Sequence, residues 1–155
     1  MLLVAAFAID AQQTEFPKLS GPYLGQKPPG LTPEIFAPGI VSSIEANEYA
    51  MAFTPDGKEF YFNRGGVGVM VCSLSDTGWT TPAKAPFQKK YKGGAVHIMC
   101  HGKRLLMNRF PGVHELKDGE PDSIWALQKT EDGWDHPEFL IAWGMRATST
   151  LDGTI

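Results

Sequence analysis

The sequence predicts an all-β fold assembled from repeated four-stranded antiparallel units, and three observations carry that expectation. Glycine and proline are in excess, 17 and 12 of 155 residues, about 19% together against roughly 12% in average usage. Runs such as Phe60-Tyr61-Phe62 and Leu105-Leu106-Met107 are apolar at consecutive positions, as strands buried on both faces require. After Ile44 the chain also repeats itself. An apolar content of 43% excludes a disordered chain, and the length suffices for one domain with a sizeable core. A net charge of −3 leaves no global basic field to attract nucleic acid or an anionic membrane.

The first segment, residues 1–11, is apolar from Met1 to Ile9, about half the ~18 residues a membrane-spanning helix needs. It reads as the remnant of a secretory signal, with Ala6-Phe7-Ala8 or Ala11 as small residues for cleavage. The basic residues that ordinarily precede such a stretch are missing, and an ordinary N-terminal strand is the alternative. Residues 12–44 form a lead-in. Pro17, Pro22, Pro28, Pro29, Pro33 and Pro38 alternate there with Gly21, Gly25 and Gly30. Each proline fixes φ and removes a donor, so an extended segment lying over a surface is expected. Apolar residues in Pro28-Pro29-Gly30-Leu31-Thr32-Pro33-Glu34-Ile35-Phe36 would anchor it.

The repeat occupies residues 45–155. Gly57-Lys58 and Asn63-Arg64 recur 45 residues later as Gly102-Lys103 and Asn108-Arg109. Thr77-Gly78-Trp79 and Pro82 recur 55 residues later in Asp132-Gly133-Trp134 and Pro137, so ten residues are inserted between Arg109 and Ser123. A third copy opens at Ala147 and carries Leu151-Asp152-Gly153. A period of this length with several strands per unit marks a β-propeller. The units divide as 45–90, 91–143 and the start of a third, 144–155.

Within the first unit, residues 48–53 and 59–63 read as strands joined by Thr54-Pro55-Asp56-Gly57. Proline presets the turn, aspartate bonds the backbone and glycine takes the positive φ. A third strand covers 69–74, and Asp76-Thr77-Gly78 leads into a fourth from Trp79. The second unit repeats this with strands over 94–99, 104–108, 123–129 and from Trp134. Cys72 and Cys100 fit neither a disulfide framework nor a zinc spacing and read as buried strand residues.

Pro55-Asp56-Gly57-Lys58-Glu59-Phe60-Tyr61-Phe62-Asn63-Arg64-Gly65-Gly66 resembles the TolB-type, WD40-like propeller repeat of bacterial envelope and secreted proteins. Asp122-Ser123-Ile124-Trp125 resembles the opening of that family's third strand, and Tyr23 to Gly30 with Phe36 to Ser42 resembles its lead-in. Cys100-His101 departs from the pattern by replacing Pro-Asp. The resemblance implies a secreted or periplasmic scaffold that binds proteins, peptides or glycans, with no cofactor and no single activity. Closed propellers have about 4–8 blades, so two and a half units read as the N-terminal part of a longer chain.

In propeller geometry Glu48, Gly93 and Arg146 fall at the channel mouth, rimmed by Arg64-Gly65-Gly66 and by the loop from Arg109 to Asp122. Loops on a rigid scaffold are where recognition sits, and the expected ligand-binding set is Glu48, Arg64, Arg109, His114 and Arg146. Arg64 and Arg109 have a competing structural reading, as donors to loop carbonyls. His97, Cys100 and His101 fit no zinc pattern, and a turn position explains His101. Trp79 and Trp134 recur at one position and read as packing residues before sugar platforms. The cations Lys89, Lys90, Lys92, Lys103, Arg104 and Arg109 scatter over two faces and a loop, a solvated surface. No nucleophile elbow, dinucleotide or phosphate-loop motif is present. The enzyme alternative is a propeller glycoside hydrolase, which needs two converging carboxylates. Glu48 supplies one, and Glu115, Glu120 or further blades would have to supply the other.

Overall fold

A computed structural model describes residues 19–108 and 122–155. Their strands form two antiparallel sheets, each a meander in sequence order. The first holds β1 (Glu48–Phe53), β2 (Glu59–Arg64), β3 (Gly68–Ser75) and an outer strand in two pieces, β4 (Gly78–Trp79) and β5 (Ala83–Lys84). The second holds β6 (Gly94–Ile98), β7 (Arg104–Asn108), β8 (Ser123–Thr130) and β9 (Gly133–Ala142). Two short 3-10 turns, Tyr23–Gly25 and Pro86–Lys89, are the helical segments among the described residues. The all-β expectation stands, and no closed barrel or propeller forms among the described residues.

The three turns of the repeat share one hydrogen-bond pattern. In the first, Gly57 N–H donates to the Thr54 carbonyl (2.8 Å), and Asp56 Oδ1 accepts the Thr54 hydroxyl (2.6 Å) and the Lys58 N–H (3.1 Å). In the second, Gly102 N–H reaches the Met99 carbonyl (2.7 Å), and His101 Nδ1 accepts the Lys103 N–H (3.0 Å) in place of the aspartate. In the third, Gly153 N–H reaches the Thr150 carbonyl (3.1 Å), and Asp152 accepts the Thr150 hydroxyl and the Thr154 N–H (3.0 Å). The glycines have φ of 68°, 67° and 90°. A Cβ on Gly57 would meet nothing within 4 Å, so a substitution there is penalised through the backbone alone. Gly57→Val is expected to lower stability by about 1–2 kcal/mol, the cost of a left-handed L-residue. Chemical denaturation measures it, and an unchanged midpoint would contradict the shared turn.

A second shared feature was not foreseen. Ala50, Ala95 and Arg146 each precede their turn glycine by seven residues, and all are left-handed, with φ of 53°, 50° and 58°. In β1 and β6 this residue is a bulge, where the register slips between Tyr49 and Ala52 and between Gly94 and His97. The outer strands also slip at a common place. β4 and β5 pair with β3 on either side of a break at Thr80-Thr81-Pro82, whereas β9 runs through Pro137 with a register shift opposite Ala126 to Gln128. Proline has no N–H for the ladder and is tolerated on these edges. The continuous fourth strand expected from Trp79 is therefore broken in the first sheet. The third unit has its turn at 150–154 but no paired strand over 144–149.

Side-chain alternation sends each sheet's apolar residues to two different cores. Tyr61, Val69 and Val71 meet Val96, Ile98, Leu105, Met107, Trp125 and Leu127 in a core between the sheets, which Phe87 and Tyr91 of the connection close. Trp134 Nε1 donates to Tyr61 Oη across it (3.0 Å), and Lys129 of β8 pairs with Glu59 of β2 (2.8 Å). Phe60, Phe62, Met70, Cys72 and Trp79 face outward from the first sheet, where Leu24, Ala37 and Val41 of the lead-in bury them. Trp79 fixes the lead-in's start, its N–H donating to the Leu19 carbonyl and its Nε1 to that of Gly21, both at 2.8 Å. The expected anchors serve only in part. Phe36 packs on this core, but Leu31 and Ile35 are exposed. On the far face of the second sheet, Met99, Leu106 and Ala126 are covered by Leu140 and Ala147. Cys72 is buried, and burial pushes its thiol up to about 11, whereas Cys100 is exposed, contrary to expectation.

Candidate functional site

Strand ends and the β2–β3 turn meet at one end of the sheet pair and enclose a cleft of about 480 Å³. Tyr49, Asn63, Arg64, Lys92, Asn108 and Arg146 border it, together with backbone at Gly66, Gly68, Gly93 and Gly94. Two of the residues singled out from sequence, Arg64 and Arg146, meet here. Arg109 and His114 lie outside the described residues.

Glu48 does not border the cleft, because it faces the lead-in. Its Oε1 accepts Arg64 Nε (2.9 Å) and the Ser43 hydroxyl (3.1 Å), and its Oε2 accepts the Ser43 N–H (3.3 Å). Burial alone would push this carboxyl up, but the Ser43 N–H and the Arg64 guanidinium outweigh it, and its pKa lies below 4.5. Arg64 Nη2 donates to the carbonyls of Ile40 and Val41, both at 3.0 Å, and the guanidinium lies over the Phe62 ring. Four contacts thus tie the inner strands to the lead-in. Arg64 shapes the cleft wall while its donors bind loop carbonyls and a carboxylate.

The expected alignment of Glu48, Gly93 and Arg146 needs correcting. Arg146 shares its left-handed conformation with Ala50 and Ala95, which places Gly144 opposite Glu48 and Gly93. The register of a bulged strand is invisible in a run as short as 144–149, and the turn glycines would have supplied it. Asn63 and Asn108 were also missed as site residues, although both recur at the 45-residue spacing. Asn63 is buried, and its Oδ1 accepts the Ala95 N–H at 2.9 Å, a bond between the units.

The remaining candidates have structural partners. His97 Nε2 lies 3.0 Å from the Ser149 hydroxyl, and burial lowers the imidazole's pKa. Cys100 Sγ donates to the Leu151 carbonyl (3.1 Å). Among the described residues no three His, Cys, Asp or Glu side chains could hold a metal ion. Trp79 and Trp134 are buried and bonded through Nε1, to the Gly21 carbonyl and to Tyr61 Oη. Within the cation run, Lys90 pairs with Asp135 and Arg104 with Glu138, two separate acidic partners. Tyr91 and Lys90 together hold the Asp135 carboxyl far below the usual carboxylate range, and they border a second cleft at the opposite end of the sheets.

Comparison with family models, with curated proteins and with solved structures found no match. The TolB-type resemblance gains no support from them.

Proposed function

We propose that this chain is a non-catalytic binding scaffold built of β-propeller units, working in the periplasm or outside the cell on protein, peptide or glycan ligands. The observation that carries this reading is the cleft, which is lined by strand ends, a turn and glycines together with Arg64, itself held by Glu48 and the lead-in. Rigid sheets presenting irregular loops suit recognition. The 45-residue and 55-residue spacings support the propeller, and the apolar start from Met1 to Ile9 supports export. Glu48 does not fit the general acid of a glycoside hydrolase, which needs a raised pKa, because it is ion-paired and lowered and does not border the cleft.

In the sequence, residues 110–121 lie between Asn108 and Asp122, which both border the cleft, and they are the one insertion not repeated between units. Deleting 113–120 is expected to leave the melting transition nearly unchanged and to abolish retention of peptides and glycans on an array, since lengthening or shortening a loop costs little. An unchanged array profile would place recognition elsewhere. A deletion variant that cannot fold would make the loop structural.

One observation favours a second architecture with the same function. In a closed ring the outward face of the first sheet meets the last blade, yet the lead-in covers Phe60, Phe62 and Met70 there. An open stack capped at its first unit would use the lead-in in this way, since terminal repeats need a cover.

A further inference from the structure

The cleft holds a buried acceptor with no donor. Asn108 is 9% exposed and borders the cleft, and its Oδ1 has no hydrogen-bond partner among the described residues. Its counterpart shows what the position does when satisfied, since Asn63 Oδ1 takes the Ala95 N–H of the next unit. Arg146 holds the same left-handed place in the third unit, but its N–H makes no such bond. Leaving a buried acceptor unmade is costly, so a turn of the amide that brings Oδ1 to the cleft and to a ligand donor gains more here than at an exposed amide.

Charge and shape restrict that ligand. Lys92 and Arg146 border the cleft, are exposed, and make no ion pair among the described residues. Asp122, the only carboxylate among the lining residues, is itself engaged. Tyr49 is 39% exposed and adds an aromatic wall. The volume lies within the range of small-molecule sites. We propose that the cleft binds a sugar acid. The carboxylate meets Lys92 and Arg146, a ring hydroxyl donates to Asn108 Oδ1, and the apolar ring face lies on Tyr49. This assignment rests on the binding-scaffold reading and adds a ligand class to it.

Calorimetric titration of the 155-residue chain with glucuronate, glucose and inorganic phosphate tests it, with a uronate tetrasaccharide to separate a free acid from a polysaccharide unit. Glucuronate or its tetrasaccharide is expected to bind at least tenfold more tightly than glucose or phosphate. Lys92→Gln and Arg146→Gln, both at exposed positions, should each weaken binding about tenfold without shifting the melting transition. Asn108→Asp keeps the side chain's size but adds a negative charge, and should weaken it further. Equal binding of phosphate would overturn the proposal, as would uronate binding that survives both cation substitutions, or no uronate binding at all. Should uronates fail while deletion of 113–120 still abolishes array retention, the ligand class falls and the scaffold reading stands.

Discussion

Phe62→Ala is expected to lower stability by about 3–5 kcal/mol, the range for emptying a buried aromatic site. Phe62 is 0% exposed, its ring centroid lies 5.7 Å from that of Phe60, and the Arg64 guanidinium lies over its ring. Truncation removes the middle of the core that joins the first sheet to the lead-in. The lead-in is rich in proline and its 37–42 turn is held by its own backbone bonds, so it resists collapsing into the space. Urea denaturation measures the loss. A change below about 0.5 kcal/mol, the level of an exposed position, would mean that the lead-in does not pack on this face.

Arg64→Met should cost about 3 kcal/mol near pH 7, because it strands a buried carboxylate and two loop carbonyls. The Glu48 side chain is 5% exposed and that of Arg64 21%. The variant also carries a pH signature. In the parent, the Glu48 pKa is lowered on folding, so its contribution to stability is present above 4.5 and fades as pH falls through the folded value. Without Arg64, two of the influences that lower the Glu48 pKa are gone, so the folded value lies above the parent's. The variant should then gain on the parent as the solution is acidified from about pH 7 to about pH 4. An undiminished gap between the two across that interval would contradict the assigned role of the pair.

Much of this fold was legible because its signals are local. Pro55-Asp56-Gly57 specifies a turn by φ and by a side-chain acceptor, and the same chemistry made His101 readable as a substitute for aspartate. Consecutive apolar residues at Phe60-Tyr61-Phe62 announced two buried faces, which are now assigned to two cores. What covers each face was not legible. Whether a lead-in or another sheet lies over Phe62 depends on packing between segments far apart in sequence, and Leu31 and Ile35 show that apolar residues in the lead-in need not be its anchors. The bulges at Ala50 and Ala95 were hidden as well, since alanine carries no marker for a left-handed conformation. That hidden slip misaligned Arg146. The candidate site was half visible for the same reason: Arg64 and Arg146 stood out by charge, whereas Asn63 and Asn108 looked like ordinary members of the repeat.

The central claim is that the two repeated sheets share one core and act as one rigid scaffold. Native-state amide hydrogen exchange tests this most directly, read at the backbone of β2 and β3 in the first sheet and of β7 and β8 in the second. Tyr61, Val69 and Val71 interlock with Leu105, Met107, Trp125 and Leu127, so the four strands should open together, with a common free energy close to that of global unfolding. If β7 and β8 exchange freely while β2 and β3 remain protected, or the reverse, the sheets are independent and the shared scaffold is refuted.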